Sequence, residues 1–252
     1  MRRDALAPAG FGLLALLAWE AAVRGFAVPP YILPGPLAIG RAFLDAPALL
    51  LSSLLSTLAV TAAALASSCV LALVMAALIA TSRWARAAIL PWAIVLQVTP
   101  IVAIAPLIIV WAGDPFVSLV VCATIVAFFP VFSNTLAGLG AAPGELLDLF
   151  RLNGAGRWQT LVLLRLPAAL PFFLAGLRVS GGLALVGAVV AEFVAGSGGF
   201  ASGLAFRILE AGYRLQIPRM FAALVLLSLA GIAINAGLSA VERLLLRRRG
   251  AA

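Results

Sequence analysis

Four stretches of this sequence run without a charged residue for longer than a helix needs to cross a bilayer: residues 46–82, 87–113, 115–144 and 220–241. A hydrocarbon layer about 30 Å thick takes about 20 apolar residues in helical form, so each stretch reads as a transmembrane segment. A fifth, from 167 to about 195, carries Arg178 and Glu192, and a shorter one at about 9–24 is interrupted late by Glu20. The expectation is about six spans. A lipid-facing β-barrel would instead need segments of about 10 residues alternating apolar and polar, and the continuous Ala, Leu and Val runs show no such alternation. Helices satisfy their own backbone groups in lipid, so the fold class is an all-α integral membrane bundle. Composition agrees: with 64% hydrophobic and 10% charged residues, a water-soluble domain would expose large apolar patches.

The net charge of +8 would suggest a nucleic-acid partner in a soluble protein. Here the arginines sit at span ends, so no nucleic acid is expected and their placement is topological. With both termini in the cytoplasm, the inner segments hold Arg2, Arg3, Arg83, Arg86, Arg151, Arg157, Arg165, Arg243, Arg247, Arg248 and Arg249, eleven in all. The outer segments hold five, Arg24, Arg41, Arg207, Arg214 and Arg219, so the positive-inside rule favours this orientation. Arg2 and Arg3 before an apolar run also fit a signal peptide, but Glu20 and Arg24 stand where small residues would mark cleavage. Cys69 and Cys122 both fall inside predicted spans and read as small buried apolar residues without a redox or metal role.

Proline punctuates the chain. Residues 29–47 are proline-rich around an amphipathic stretch, 37–44, that carries Arg41 and is expected on the outer membrane surface. Ser52, Ser53, Ser56, Thr57 and Thr61 in the second span are expected to serve packing, by bonding back to the helix or across to a neighbour. Pro91, Pro100 and Pro106 interrupt the third span; each removes a helical hydrogen bond, and bent membrane helices are found where they line a cavity or pack against protein. Pro100 and Pro106 are therefore candidate pathway residues. Residues 144–167 read as two short helices separated at Gly154. Glu145 and Asp148 precede Arg151 in the order the helix dipole favours, and Asn153-Gly154 is a helix stop. Leu146, Leu149, Phe150 and Leu152 give the first helix an apolar surface, and Trp158, Leu161 and Val162 the second. Residues 196–200 are expected to form an outer turn.

Histidine and lysine are absent from the sequence. Without lysine there is no GxxxxGK[ST] phosphate loop; without histidine there is no Ser-His-Asp triad, zinc site of the H-E-x-x-H type or imidazole relay. Acidic residues number nine and only Glu192 and Glu20 fall within spans, so no carboxylate pair or metal cluster is expected and the chain does not read as an enzyme. Arg178 and Glu192 lie on one span about 21 Å apart along its axis, too far to pair. Each is a candidate for the pathway or its gating, or else reaches from near a span end to the membrane surface.

Within 144–167, Asp148-Leu149-Phe150, Gly154, Leu164 and Leu166-Pro167 resemble the cytoplasmic loop of the permease subunits of ATP-binding-cassette (ABC) importers, E-A-A-x3-G-x9-I-x-L-P. The glycine and Leu-Pro fall in register; Asp replaces Glu, Leu-Phe replaces Ala-Ala and Leu replaces Ile. Residues 152–196, and 99–113 in the third span, are similar to the branch grouped with nitrate, taurine and alkanesulfonate uptake, some relatives of which are linked to thiamine-pyrimidine or riboflavin uptake. The resemblance covers about 30–246. It implies a type I importer permease fold in a single domain, 1–252, with an extra helix at about 9–24, a core at about 48–246 and a coupling loop at 144–166. That loop, with Glu145, Asp148, Arg151, Gly154, Arg157, Trp158, Leu166 and Pro167, would form the coupling helix between spans four and five. Its partners would be two ABC ATPase subunits, which bind the ATP and Mg, a second permease copy in a homodimer, a periplasmic or lipid-anchored binding protein, and membrane lipid. The chain itself would hold no cofactor and no metal, and would reside in a bacterial inner membrane. A passive channel would show rings of charge or a filter loop, and a membrane scaffold would have no use for the Gly154 to Pro167 spacing.

Overall fold

The computed structural model describes residues 2–196 and 202–250. The expected turn at 196–200 therefore lies outside the described residues beyond Gly196, as do the side chains of Arg2, Arg3, Arg248 and Arg249. Eleven α-helices and one π-helical turn make up the described chain, with no strand among its residues: α1 (Arg2–Gly25), α2 (Pro36–Asp45), α3 (Pro47–Thr81), α4 (Arg83–Val98), α5 (Ile101–Ala112), α6 (Pro115–Gly140), α7 (Gly144–Leu152), α8 (Arg157–Thr160), the π turn (Leu161–Arg165), α9 (Leu166–Ala195), α10 (Leu204–Tyr213) and α11 (Ile217–Gly250). Four helical stretches are long and apolar enough to cross a membrane, Pro47–Thr81, Pro115–Gly140, Arg157–Ala195 and Ile217–Arg247, and α4 with α5 forms a bent pair that, counted as one span, makes a fifth. The first of the six expected spans is the 24-residue α1, outside that set. Contacts divide the chain into two units, Met1–Ser56 with Gly198–Leu229, and Thr57–Ser197 with Ala230–Ala252.

In the first unit, Ile39, Leu50, Leu204, Ile208, Ala222 and Ala223 form a core flanked by Trp19 and Phe43. The burial of Ile39 confirms the amphipathic reading of α2. Glu20 turns out to be a helix cap. Pro36 starts α2 without a donor, the first free N–H belongs to Leu37, and it donates to Glu20 Oε2 at 3.1 Å while Arg24 Nε donates to Glu20 Oε1 at 2.7 Å. Gly35 leaves room for that carboxylate, since a Cβ there would lie 2.5 Å from Glu20 Oε2. Arg207 on α10 is held by Ser53 Oγ at 3.1 Å and Glu210 Oε2 at 2.7 Å, so Ser53 does more than pack.

The second unit is organised around the antiparallel pair α6 and α9. Gly138 faces Ala169 and Phe172, Gly176 faces Pro130, Val131 and Asn134, and Gly187 faces Ala123 and Val126. At these points an added Cβ would come within 2.7–2.9 Å of its nearest neighbour, so glycine brings the backbones together, as small residues do in membrane helix pairs. Hydroxyls also cross between helices: Ser180 Oγ of α9 donates to Ala127 O of α6 at 2.6 Å, and Ser68 Oγ of α3 to Thr124 O of α6 at 3.1 Å. Along α9, Gly181 packs against Ile234 and Leu238 of α11.

Two expectations need correction. The third span is not one kinked helix: α4 and α5 are separate and meet at 107°. Pro100 lies in the break, extended at φ −64° and ψ 115°, where it precedes α5, while Pro91 and Pro106 are inside their helices. With 12 residues, α5 is only about 18 Å long, too short to span alone. The second short helix after Gly154 is not separate either. α8 runs through the π turn straight into α9. Pro167 is the reason: its ring would clash with the carbonyl four residues back, and the π turn, closed by Leu166 N–H to Leu161 O, widens the helix just before it.

Candidate functional site

α7 begins with Glu145 and ends with Arg151 in its last turn, matching the helix dipole. Arg151 Nη1 meets Asp148 Oδ1 at 2.9 Å, both side chains well exposed. The chain then reverses. Gly154 adopts φ +70°, a left-handed conformation cheap only for glycine, and its N–H donates to Arg151 O at 3.0 Å while Ala155 N–H donates to Phe150 O at 2.9 Å. Asn153 Nδ2 caps the Leu149 carbonyl at 2.8 Å. Beyond the turn, Gly156 N–H donates to Gln159 Oε1 at 2.8 Å, which opens α8.

No side chain of α7 is buried, and Leu149, Leu152 and, on α8, Trp158 are more than half exposed, Leu152 at 87%. An apolar face of this kind, beside paired charges and on a rigid helix–turn–helix, fits a partner protein. The other end of the segment is anchored: Leu161 and Leu164 are buried, Leu166 packs against the core of the second unit, and Pro167 opens α9. Arg157 Nη1 reaches Thr81 O at 3.4 Å and Arg165 Nη1 reaches Ala80 O at 3.1 Å, which ties the segment to the last turn of α3. The structure thus brings Glu145, Asp148, Arg151, Gly154, Arg157, Trp158, Leu166 and Pro167 into one continuous element.

The candidate pathway residues do not converge. Arg178 lies near α11, with Nη1 at 3.4 Å from Glu242 Oε2. Glu192 is 3% exposed and accepts from Thr57 Oγ1 at 2.8 Å, so its carboxylate is held inside the second unit. Thr57, expected only to pack, is a partner of this buried carboxylate. Since a hydrogen bond to a charged group contributes about 1.5–3 kcal/mol, Thr57→Val is expected to lower stability by up to that amount; an unshifted thermal midpoint of the purified variant would show the bond to be dispensable.

At the α4–α5 break the structure adds residues that the sequence reading passed over. A cavity of about 250 Å³ is lined by Gln97, Thr99, Ile125, Phe129, Pro130 and Leu183 among others. Pro100 lies at the bend and Pro106 within α5, whereas Gln97 and Thr99 supply polar atoms. The available signal was Gln97 itself, the one amide in the uncharged run 87–113.

Residues 68–250 match the family described as "Binding-protein-dependent transport system inner membrane component". The chain is 37% identical to the riboflavin transport system permease protein RibX of Chloroflexus aurantiacus, over 93% of this chain and 87% of the relative. It is 32% identical to the formylaminopyrimidine transport permease protein ThiX of Halalkalibacterium halodurans, over 96% of each, and 34% identical to the putative aliphatic sulfonates transport permease protein SsuC of Bacillus subtilis, over 61% of this chain and 54% of the relative. Among solved structures, an amino acid ABC transporter crystallised with histidines shares the fold, with a TM-score of 0.63 at 19% identity over 80% of this chain and 96% of that one. With this helical membrane fold, the chain belongs to the family of binding-protein-dependent transport system inner membrane components. It is the permease subunit of an ABC importer and an integral inner-membrane protein.

Proposed function

We propose that the segment 144–167 is the surface by which this permease takes up motion from an ATPase subunit. The observation that carries the reading is the exposed apolar face of α7 and α8, set on a left-handed Gly154 turn and rooted through Leu166 and Pro167 in α9. α9 also carries Glu192 and packs along α6, and α8 runs through the π turn into it without a break, so a displacement of α8 is delivered to a transmembrane helix. ATP and Mg belong to the partner, because the chain has no lysine with which to build a phosphate loop. One chain supplies one such segment; two ATPase subunits therefore call for a second copy of the permease, with the solute path between the copies and an extracytoplasmic binding protein delivering the solute.

The chain is oriented with both termini and Arg157 in the cytoplasm, a reading supported by the eleven-to-five distribution of arginines. A cysteine replacing Arg157 is then expected to stay unlabelled when a membrane-impermeant thiol reagent is applied from outside and to react once the membrane is opened. Labelling of intact cells would reverse the orientation.

The cargo is a small solute. A sulfonate, taurine or nitrate anion is one reading, supported by the resemblance of residues 152–196 and by SsuC. The other is a vitamin or vitamin precursor, supported by RibX and ThiX, which match nearly the whole chain. Co-purification from native membranes tests both levels. Recovery of an ABC ATPase with a binding protein, and the ligand extracted from that protein, would establish the partners and name the cargo class. Recovery of the chain alone after crosslinking through the Gly154 turn would overturn the coupling reading.

A further inference from the structure

A cavity of about 300 Å³ lies between the end of α3, the coupling segment and the π turn, and its walls include Thr81, Arg151, Ala155, Arg157, Thr160 and Arg165. Three arginines therefore line one small space. Asp148 pairs with Arg151, but among the described residues neither Arg157 nor Arg165 has a carboxylate partner. Each spends one N–H on a carbonyl at the end of α3, and Arg165 Nε is buried with no acceptor at all.

Capping of α3 accounts for one donor of each arginine and leaves the rest unused, since a guanidinium carries five. Arg165 is partly buried and Arg157 is exposed beside it, so two like charges line one space and repel each other, and an anion between them would relieve that repulsion. A second cavity of about 430 Å³ shares Ala80, Thr81 and Arg157 with the first and adds Arg83 and Arg86, so positive charge continues outward. At its rim Arg83 stacks on the exposed Trp84, 5.3 Å from the ring centroid. The site closes off the apolar helix α3, which puts it at the level of lipid headgroups, where tryptophan and arginine collect.

We propose that this arginine cavity binds a phosphate-class oxyanion, carried either by an anionic phospholipid headgroup or by a soluble phosphate. Arg157 and Arg165 form its fork, with planar donors suited to two oxygens at once, and Thr160 stands beside them with its hydroxyl, which otherwise bonds to Gly156 O at 3.1 Å. Occupation would brace the coupling segment against the end of α3, because the same two arginines hold both.

The test places the full chain, purified with the subunits that accompany it, in phosphatidylcholine nanodiscs with or without phosphatidylglycerol. Native mass spectrometry counts retained phosphatidylglycerol, and phosphorus NMR follows broadening of added orthophosphate in the discs that lack it. The double variant R157Q/R165Q is expected to bind about tenfold more weakly, the size of effect that loss of charge-assisted hydrogen bonds produces. R157Q alone gives up only one long bond to Thr81 O and is expected to lose about threefold, so a folding failure of the double variant leaves a decisive comparison. Arginine-dependent retention of phosphatidylglycerol assigns the site to a lipid headgroup, and arginine-dependent broadening of orthophosphate assigns it to a soluble anion. Equal binding by wild type and variants in both arms, or no binding by wild type in either, overturns the proposal.

Discussion

Gly154→Pro is expected to abolish coupling while leaving the protein inserted in the membrane. Proline holds φ near about −65°, whereas Gly154 sits at +70°, so the reversal between α7 and α8 cannot form. The substitution also deletes the donor to Arg151 O, a 3.0 Å bond that closes the end of α7. The nearest neighbours of a Cβ at this position lie beyond 4 Å, so the damage is conformational and confined to the turn. Gly154→Ala tests that distinction: it meets no atom and pays only the left-handed strain, about 1 kcal/mol. Solute-stimulated ATP hydrolysis in reconstituted transporter is expected to fall at least about tenfold for the proline variant, equivalent to about 1.4 kcal/mol of lost linkage, and much less for alanine. Wild-type hydrolysis in Gly154→Pro would remove the turn from the mechanism. Asp148→Lys offers a complementary result. The exposed pair with Arg151 contributes little to stability, so any loss of hydrolysis in that variant reports on the partner surface.

The second large effect lies in the membrane. Gly176→Val is expected to destabilise the chain by about 3 kcal/mol or more, at the upper end for overpacked interiors. An added Cβ would lie 2.8 Å from Pro130 O and 3.1 Å from Val131 Cα, both backbone atoms that no rotamer change can move. The contact could be relieved only by separating α6 from α9, which would also break the 2.6 Å bond from Ser180 Oγ to Ala127 O. Gly182, on the same helix, meets nothing within 4 Å, and Gly182→Val is expected to be tolerated. Thermal midpoints of the two variants in one detergent check the pair; equal values would mean that α6 and α9 are not held together by this seam.

Much of the architecture was legible because lipid imposes a composition on what crosses it. Residues 46–82, 115–144 and 220–241 became α3, α6 and α11 with ends displaced by only a few residues, except that α11 continues through the charged tail to Gly250. The helix–turn–helix at 144–167 was legible for a different reason. Its register depends on Gly154 and on Leu166-Pro167, residue types with strong local preferences, and the structure places both at backbone features that need them. The third span was less legible: three prolines announce that the helix is disturbed, but not that Pro100 leaves it altogether for a 107° corner. A proline inside a helix either kinks it or ends it, and packing of the two legs decides which.

Glu192, Glu20 and Thr57 mark the boundary between the two kinds of information. Their rarity in apolar surroundings was enough to single out the carboxylates, because a charge in lipid is costly wherever it occurs. Their partners were beyond reach of the chain order: Thr57 lies 135 residues from Glu192, and Leu37 N–H lies 17 residues from Glu20. The sequence by itself determined that this chain is a membrane bundle of helices with a helix–turn–helix linking two spans, since hydrophobic length and the preferences of glycine and proline are properties of local segments. Only the tertiary structure decided where the backbones touch at Gly138, Gly176 and Gly187, which carboxylates are caps or buried acceptors, and how arginines from a turn and a helix end come to share one cavity, because those are properties of pairs of segments brought together by packing.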